Sequence, residues 1–301
     1  MEIWRFYEKT VALRRFIRFS RFSALSLSAV LPLLGAATMS PRLAGYQILG
    51  LIGVATAFHG FAYALNDVID LAVDRTESLR AEWPLVQGTV RPWQMLAFAL
   101  LQVPLALALT IWLGGNSRAY ATLGASFALM TVYNLWGKCS PFPPLTDAAQ
   151  GLAWGTLALY GAAVVPGRPT ELMGVVFAFV VVFIVMANGV HGSLRDLAND
   201  LNCGVRSTAI MLGARPQDAM GQVIPRRLRF YTLTLQAVLF AITLLPLACN
   251  WFSYKPLSWS VTTGTILILA MLSMRLLMLA FESASDRQTI YIIGLLHLIV
   301  S

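Results

Sequence analysis

Asn66-Asp67-Val68-Ile69-Asp70-Leu71-Ala72-Val73-Asp74 closes the run Ala44–Leu65, in which no residue carries a formal charge. Such a run is long enough to cross the hydrocarbon core of a bilayer, which takes roughly 20 residues of helix. Lipid offers no partner to backbone N–H and C=O groups, so a segment that crosses there is helical. If the helix continues into the acidic stretch, Asp67, Asp70 and Asp74 fall at i, i+3 and i+7 and share one face. The stretch therefore predicts a membrane helix that ends in three stacked carboxylates.

The rest of the chain agrees with a membrane setting. Of the 301 residues, 57% are hydrophobic and 12% charged, and the mean hydropathy is +0.69. Soluble domains carry about 25% charged residues, so this chain has too little polar surface to coat a water-soluble particle. Residues 1–21 are basic rather than apolar, and no cleavable signal peptide is expected. Cys139, Cys203 and Cys249 lie far apart without metal-ligand spacing and read as idle thiols.

Nine apolar runs are separated by polar punctuation: Phe22–Ala37, Ala44–Leu65, Pro92–Leu113, Ala119–Leu135, Ala148–Val165, Leu172–Val190, Phe230–Leu247, Ser260–Phe281 and Thr289–Val300. With nine spans, all but Arg42, Arg118, Arg168 and Lys255 of the 22 Lys and Arg fall on the side of the N-terminus. The positive-inside rule then places the N-terminus and its loops in the cytoplasm. It also accounts for the pI near 9.8 as a basic membrane face suited to anionic headgroups and substrates, with no call on nucleic acid.

The second acidic stretch is Arg195-Asp196-Leu197-Ala198-Asn199-Asp200-Leu201-Asn202-Cys203-Gly204, after the sixth run. Asp196 and Asp200 stand at i, i+4, and both acidic loops open toward the same face. Stacked carboxylates repel, and ionisable groups at a membrane helix end are costly unless they serve something. A hard divalent cation resolves both problems. Magnesium takes oxygen ligands and is usually held by one or two carboxylates together with substrate phosphates. Two such clusters would grip a diphosphate and neutralise its charge as an allylic C–O bond ionises.

These residues resemble the UbiA superfamily of intramembrane prenyltransferases. Asn66-Asp67-x-x-Asp70-x-x-x-Asp74 looks like its first signature, and Asp196-x-x-x-Asp200-x-x-x-Gly204, continuing through Arg206-Ser207-Thr208-Ala209, looks like its second. Tyr133-Asn134-Leu135-Trp136-Gly137-Lys138 resembles the Tyr/Lys element that the family places beside the diphosphate. The resemblance covers nearly the whole chain. It implies an all-α membrane protein of about nine transmembrane helices around a central cavity, one domain over 1–301, capped by motif loops at 66–91 and 191–229. It implies Mg²⁺ at Asn66, Asp67, Asp70, Asp74, Asp196 and Asp200, and an isoprenyl diphosphate as substrate. Lys138, Tyr133, Arg75, Arg80, Arg195 and Arg206 are then the candidate diphosphate contacts. Asp67, Asp70, Asp196, Asp200 and Lys138 are the expected catalytic set.

Some positions depart from that pattern. Trp83 stands where relatives usually carry Arg before Pro-Leu, so Arg80 is the candidate replacement. The basic-Pro pair of quinone-type members is represented only by Arg21-Phe22. Gly189, His191 and Gly192 stand where those members often show Asp and Tyr. His59, Tyr63, Trp83, Asn134, Trp154 and His191 are candidates for a cavity wall or an acceptor site, the aromatic faces being suited to a carbocation.

Two activities share the ionisation step. One is transfer of the prenyl group to an aromatic or other lipophilic acceptor; the alternative is a UbiA-type terpene cyclase acting intramolecularly. A transporter with acidic ion sites is the competing class, but its acids belong at midplane helix breaks. No obligatory protein partner is expected.

Overall fold

The computed structural model describes residues 22–217, 221–251, 256–283 and 287–300. The basic N-terminal segment 1–21 and Lys255 lie outside the described residues. Each of the nine expected runs coincides with a principal helix: α1 (Phe22–Ala37), α2 (Gly45–Ile69), α4 (Pro92–Trp112), α5 (Ser117–Trp136), α6 (Pro143–Val164), α7 (Glu171–Met186), α11 (Arg226–Ala248), α12 (Pro256–Glu282) and α13 (Arg287–Val300). Short helices fill the connections: α3 (Leu71–Asp74), α8 (Ser193–Arg195), α9 (Leu197–Asn202) and α10 (Thr208–Met211). A 3₁₀ turn (Ser78–Arg80) and a π-helical turn (Ala187–Gly192) complete them, and a two-residue antiparallel pair, β1 (Arg215–Pro216) and β2 (Gln222–Val223), is the one departure from all-α structure among the described residues.

Among the described residues, five helical segments are long and apolar enough to cross a membrane: Gly45–Ile69, Pro92–Trp112, Glu171–Arg195, Arg226–Ala248 and Ser260–Glu282. Helix α5 and helix α6 have the length but carry Ser, Thr, Asn, Gln and small residues instead. The reason for α6 is visible in its burial: most residues from Gly151 to Val165 are enclosed by protein. A helix surrounded by protein needs small residues for close approach more than it needs a greasy exterior. Elsewhere large apolar side chains stay exposed, including Leu101, Ile111, Phe230, Ile268 and Met271. Exposed apolar side chains in such number are a liability in water and normal in lipid.

The chain forms two compact units. The first contains the described residues up to Leu135 together with Leu152–Phe177. There, α2 lies along α1 and α4. Phe58 packs edge-to-face on Phe127 and Trp154, with ring centroids 5.2 Å and 4.9 Å away. Gly35 on α1 abuts the carbonyl of Ala158, and Gly161 on α6 abuts that of Pro32. A methyl at either glycine would run into backbone. Gly161→Ala is therefore expected to destabilise the protein by at least the ~1–3 kcal/mol typical of overpacking. Gly124→Ala, where a methyl meets open space, is expected to be neutral or mildly stabilising, because Ala is the better helix former. Thermal unfolding of the two variants in detergent checks the contrast.

The second unit is Trp136–Gly151 with the described residues from Ala178 onward. Here α12 packs on α13, and Gly151 comes so close to the Val181 carbonyl that an added Cβ would sit 2.6 Å from it. The β2 residue Gln222 donates its side-chain amide to the Leu194 carbonyl at 2.8 Å, pinning the hairpin to α8.

Candidate functional site

The two acidic motifs are built alike. Helix α2 ends at Ile69, and Asp70 takes φ −84°, ψ 1° before α3 begins. Helix α8 ends at Arg195, and Asp196 takes φ −96°, ψ 4° before α9 begins. Both lie in the bridge region, which regular helix avoids and where many active-site residues sit. The i→i−4 bonds nonetheless run through the break: Asp70 N–H to the Asn66 carbonyl at 2.8 Å and Asp74 N–H to the Asp70 carbonyl at 2.8 Å. In the second motif, Asp196 N–H reaches the Gly192 carbonyl at 3.0 Å and Asp200 N–H the Asp196 carbonyl at 2.9 Å. The expected helical continuation is thus present, with a bend at one aspartate of each motif.

In the first unit, Asp67, Asp70 and Asp74 are all buried, the last only 2% exposed. Asn66 donates its amide to Asp70 Oδ2 at 2.9 Å. Arg80 forms an ion pair with Asp74, and its guanidinium lies 4.9 Å from the centre of the Trp83 ring. Trp83 thus carries a cation on its ring face. Arg75 points out, exposed. His59 is buried, with Nδ1 2.9 Å from Ser28 Oγ, and its ring is 4.5 Å from that of Tyr63. Tyr63 continues to Trp154, with centroids 6.5 Å apart, so these three candidates form one connected cluster of rings. Tyr133 is half-buried. Asn134 is buried and donates to the Ala62 carbonyl at 3.1 Å, tying the Tyr/Asn element of α5 to the helix that carries the first motif.

In the second unit, Asp200 is buried and Asp196 partly exposed. Arg195 grips Asp196 through two bonds of 2.8 Å, the forked geometry of guanidinium on carboxylate. The motif's glycine has a backbone reason. Gly204 takes φ +68° just beyond α9, its N–H reaches Leu201 at 3.2 Å, and Val205 N–H reaches the Asp200 carbonyl at 2.8 Å. This is a Schellman close, which needs a residue at ease in the left-handed region. Arg206 is exposed at its side chain, and its N–H donates to the Lys138 carbonyl at 3.3 Å. Lys138 is half-buried.

Asp147, in the first turns of α6, is not among the site residues expected from the sequence. It is buried and accepts from Asn188 Nδ2 at 2.7 Å and from the Thr208 hydroxyl. Asn188 belongs to the π-helical turn, a feature that often marks functional sites. The available signal was an Asn-Gly pair inside an otherwise apolar run.

Among the described residues, no group of three or more His, Cys, Asp or Glu side chains is gathered closely enough to hold a metal by itself. The donor set still suits a hard cation that takes one or two carboxylates and completes its shell with phosphate and water. Asn134 Oδ1, His191 Nε2 and Ser207 Oγ are buried without a hydrogen-bond partner, and each belongs to or adjoins a predicted motif. Buried polar atoms are rarely left so.

The sequence model of the UbiA prenyltransferase family matches residues 25–297. Digeranylgeranylglyceryl phosphate synthase of Pyrococcus abyssi is 29% identical over 67% of this chain and 70% of its own length. Protoheme IX farnesyltransferase of Xanthomonas axonopodis is 30% identical over 41% of this chain and 40% of that protein. A solved structure of a UbiA homolog from Archaeoglobus fulgidus bound to DMAPP and Mg²⁺ superposes with a TM-score of 0.67 at 14% identity, covering 95% of this chain and 97% of that one. A UbiA homolog from Aeropyrum pernix gives the same TM-score at 18% identity, over 94% and 92%.

Proposed function

The chain belongs to the UbiA prenyltransferase family and is an integral membrane prenyltransferase, and on that premise we propose that it ionises an isoprenyl diphosphate in a magnesium-dependent reaction and passes the prenyl group to a lipophilic, electron-rich acceptor. The observation that carries this reading is the pair of like-built acidic motifs, each bent at an aspartate and each holding buried carboxylate.

Asp67, Asp70 and Asp74 of the first motif and Asp196 and Asp200 of the second are the residues that would hold magnesium, with Asn66 orienting Asp70. Bound there, magnesium supplies Lewis acidity toward the leaving diphosphate. Lys138, Arg80 and Arg206 add fixed positive charge for the same group, and Arg195 sets the orientation of Asp196. The allylic C–O bond breaks with its electron pair leaving on the diphosphate. The acceptor's electrons then form the new bond to carbon, and its proton is lost. The ring cluster of His59, Tyr63 and Trp154 offers aromatic faces of the kind that stabilise a developing carbocation.

Incubating the purified protein with geranyl, farnesyl and geranylgeranyl diphosphates, without acceptor and then with a membrane-lipid extract, tests the reading. Consumption that needs the extract supports intermolecular transfer. A cyclic hydrocarbon formed without it would replace transfer with cyclisation, and no consumption under any condition would overturn the ionisation step itself.

The same reading places the acidic loops on the cytoplasmic side. Cys139 follows Lys138, Cys249 follows the far end of α11, and both thiols are exposed. In single-cysteine variants reconstituted with known orientation, an impermeant maleimide is expected to reach Cys139 from the cytoplasmic side and Cys249 from the opposite one. Labelling of both from one side would sink this topology.

A further inference from the structure

We propose that Asp147 is a positioning residue that locks the Lys138 element and the second aspartate motif into one rigid cassette. The inference rests on the function proposed above for those two elements, but the lock itself is a matter of this unit's own contacts. Asp147 sits in the opening turns of α6, nine residues after Lys138 and outside both acidic motifs. Its two oxygens are engaged by donors from two different segments. Oδ1 accepts from Asn188 in the π-helical turn that leads into Asp196; Oδ2 accepts from Thr208, at the start of the helix that follows Gly204. The second motif is therefore tethered by the same carboxylate at its entrance and at its exit. The backbone bond from Arg206 to Lys138 closes a second tie between the same two segments.

The local sequence is shaped to allow this. An added Cβ at Gly189 would stand 2.6 Å from Asp147 Oδ2, so only glycine lets the carboxylate reach both donors. Asn188 and Gly189 both belong to the π-helical turn, and both lie against the Asp147 carboxylate. Burying a carboxylate is costly unless it is hydrogen-bonded, and here each oxygen has a donor. A packing contact alone would be met by an apolar side chain at lower cost.

Positioning and direct participation are separable by chemistry. Asn at 147 can keep both bonds: its oxygen accepts from Asn188, and its amide donates to the Thr208 hydroxyl, which is able to accept as well as donate. Asp147→Asn is thus expected to stay within about threefold of wild type, whereas Asp147→Ala raises KM for the prenyl diphosphate and the magnesium concentration for half-activity by about ten- to a hundredfold, as loss of ligand-orienting contacts commonly does. Gly189→Ala and Thr208→Val should shift both quantities in the direction of Asp147→Ala. A readout free of turnover accompanies them. Hydrogen exchange followed by mass spectrometry on the full-length protein in detergent should show amides of 193–208 exchanging at least about tenfold faster in Asp147→Ala. The amides of Asp70 and Asp74 should be unchanged. If Asp147→Ala does not accumulate as folded protein, Thr208→Val carries the same exchange test. Equal damage from Asn and Ala at 147 would mean that the charge itself acts, and would overturn the proposal. So would unchanged exchange over 193–208. If the wild-type protein turns over no prenyl diphosphate, the function proposed above fails while the exchange result still decides whether Asp147 is the lock.

Discussion

Alanine at Asp70 or at Asp200, one at a time, is expected to lower kcat by at least about two orders of magnitude, the scale at which removal of a single well-placed electrostatic group acts. The protein should remain folded in both cases. Asp70 is buried at a helix bend and Asp200 is buried inside α9, four residues after the second bend, and the backbone bonds at both positions are left in place by the substitution. Chelation by EDTA should abolish activity, and added magnesium should restore it. Steady-state kinetics at saturating magnesium, with thermal unfolding as the folding control, decide the matter. Near-normal turnover by either variant, or full activity in EDTA, would falsify the requirement for both motifs. The double variant is expected to be little worse than either single one, because groups that act on one leaving group fail together.

The next-largest effect should come from Arg80. It is held between the buried Asp74 carboxylate and the face of Trp83, so its guanidinium has few freedoms left. A cation fixed in that way can take the diphosphate contact that Trp83, with a single indole donor, cannot make. Arg80→Ala is expected to raise KM for the prenyl diphosphate about tenfold or more, with kcat less affected. Arg80→Lys should recover only part of the loss, because an ammonium lacks the planar fork. Trp83→Ala removes a cation–π contact worth about 0.5–2 kcal/mol and should raise KM only a few-fold. If Trp83 also closes the site above the ionising carbon, its loss should increase the share of prenyl alcohol formed by water capture. KM and the alcohol-to-product ratio, measured for the variants together, separate these effects. Should neither Arg80→Ala nor Trp83→Ala alter either quantity, the stretch from Arg75 to Gly88 is a surface loop.

The contact between Arg80 and Trp83 is not legible in the sequence. Trp83 was recognisable as a departure and Arg80 as a nearby cation, but whether the two met depended on the 3₁₀ turn at Ser78–Arg80. Asp147 is the sharper instance. Its partners lie 41 and 61 residues away, and the turn that presents one of them is π-helical rather than α-helical. Local periodicity carries no information about either. The bends at Asp70 and Asp196 were invisible for the same reason, since aspartate is compatible with both helix and break.

By itself, the sequence determined the membrane class, the places of the principal helices among the described residues and the shared face of Asp67, Asp70 and Asp74. Each of these follows from composition or from spacing within a few residues, where helix geometry acts directly. The tertiary structure alone decided which of those charges are partnered and how. Arg80 belongs to Asp74, Arg195 to Asp196, and the buried Asp147 to Asn188 and Thr208. It also decided which glycines are contact points: Gly35 and Gly161 touch backbone, whereas Gly124 meets nothing. The two arginine pairs are settled by local turn conformation, whereas the Asp147 bonds and the glycine contacts rest on how helices distant in the chain pack together, and packing is a property of surfaces that no single stretch contains.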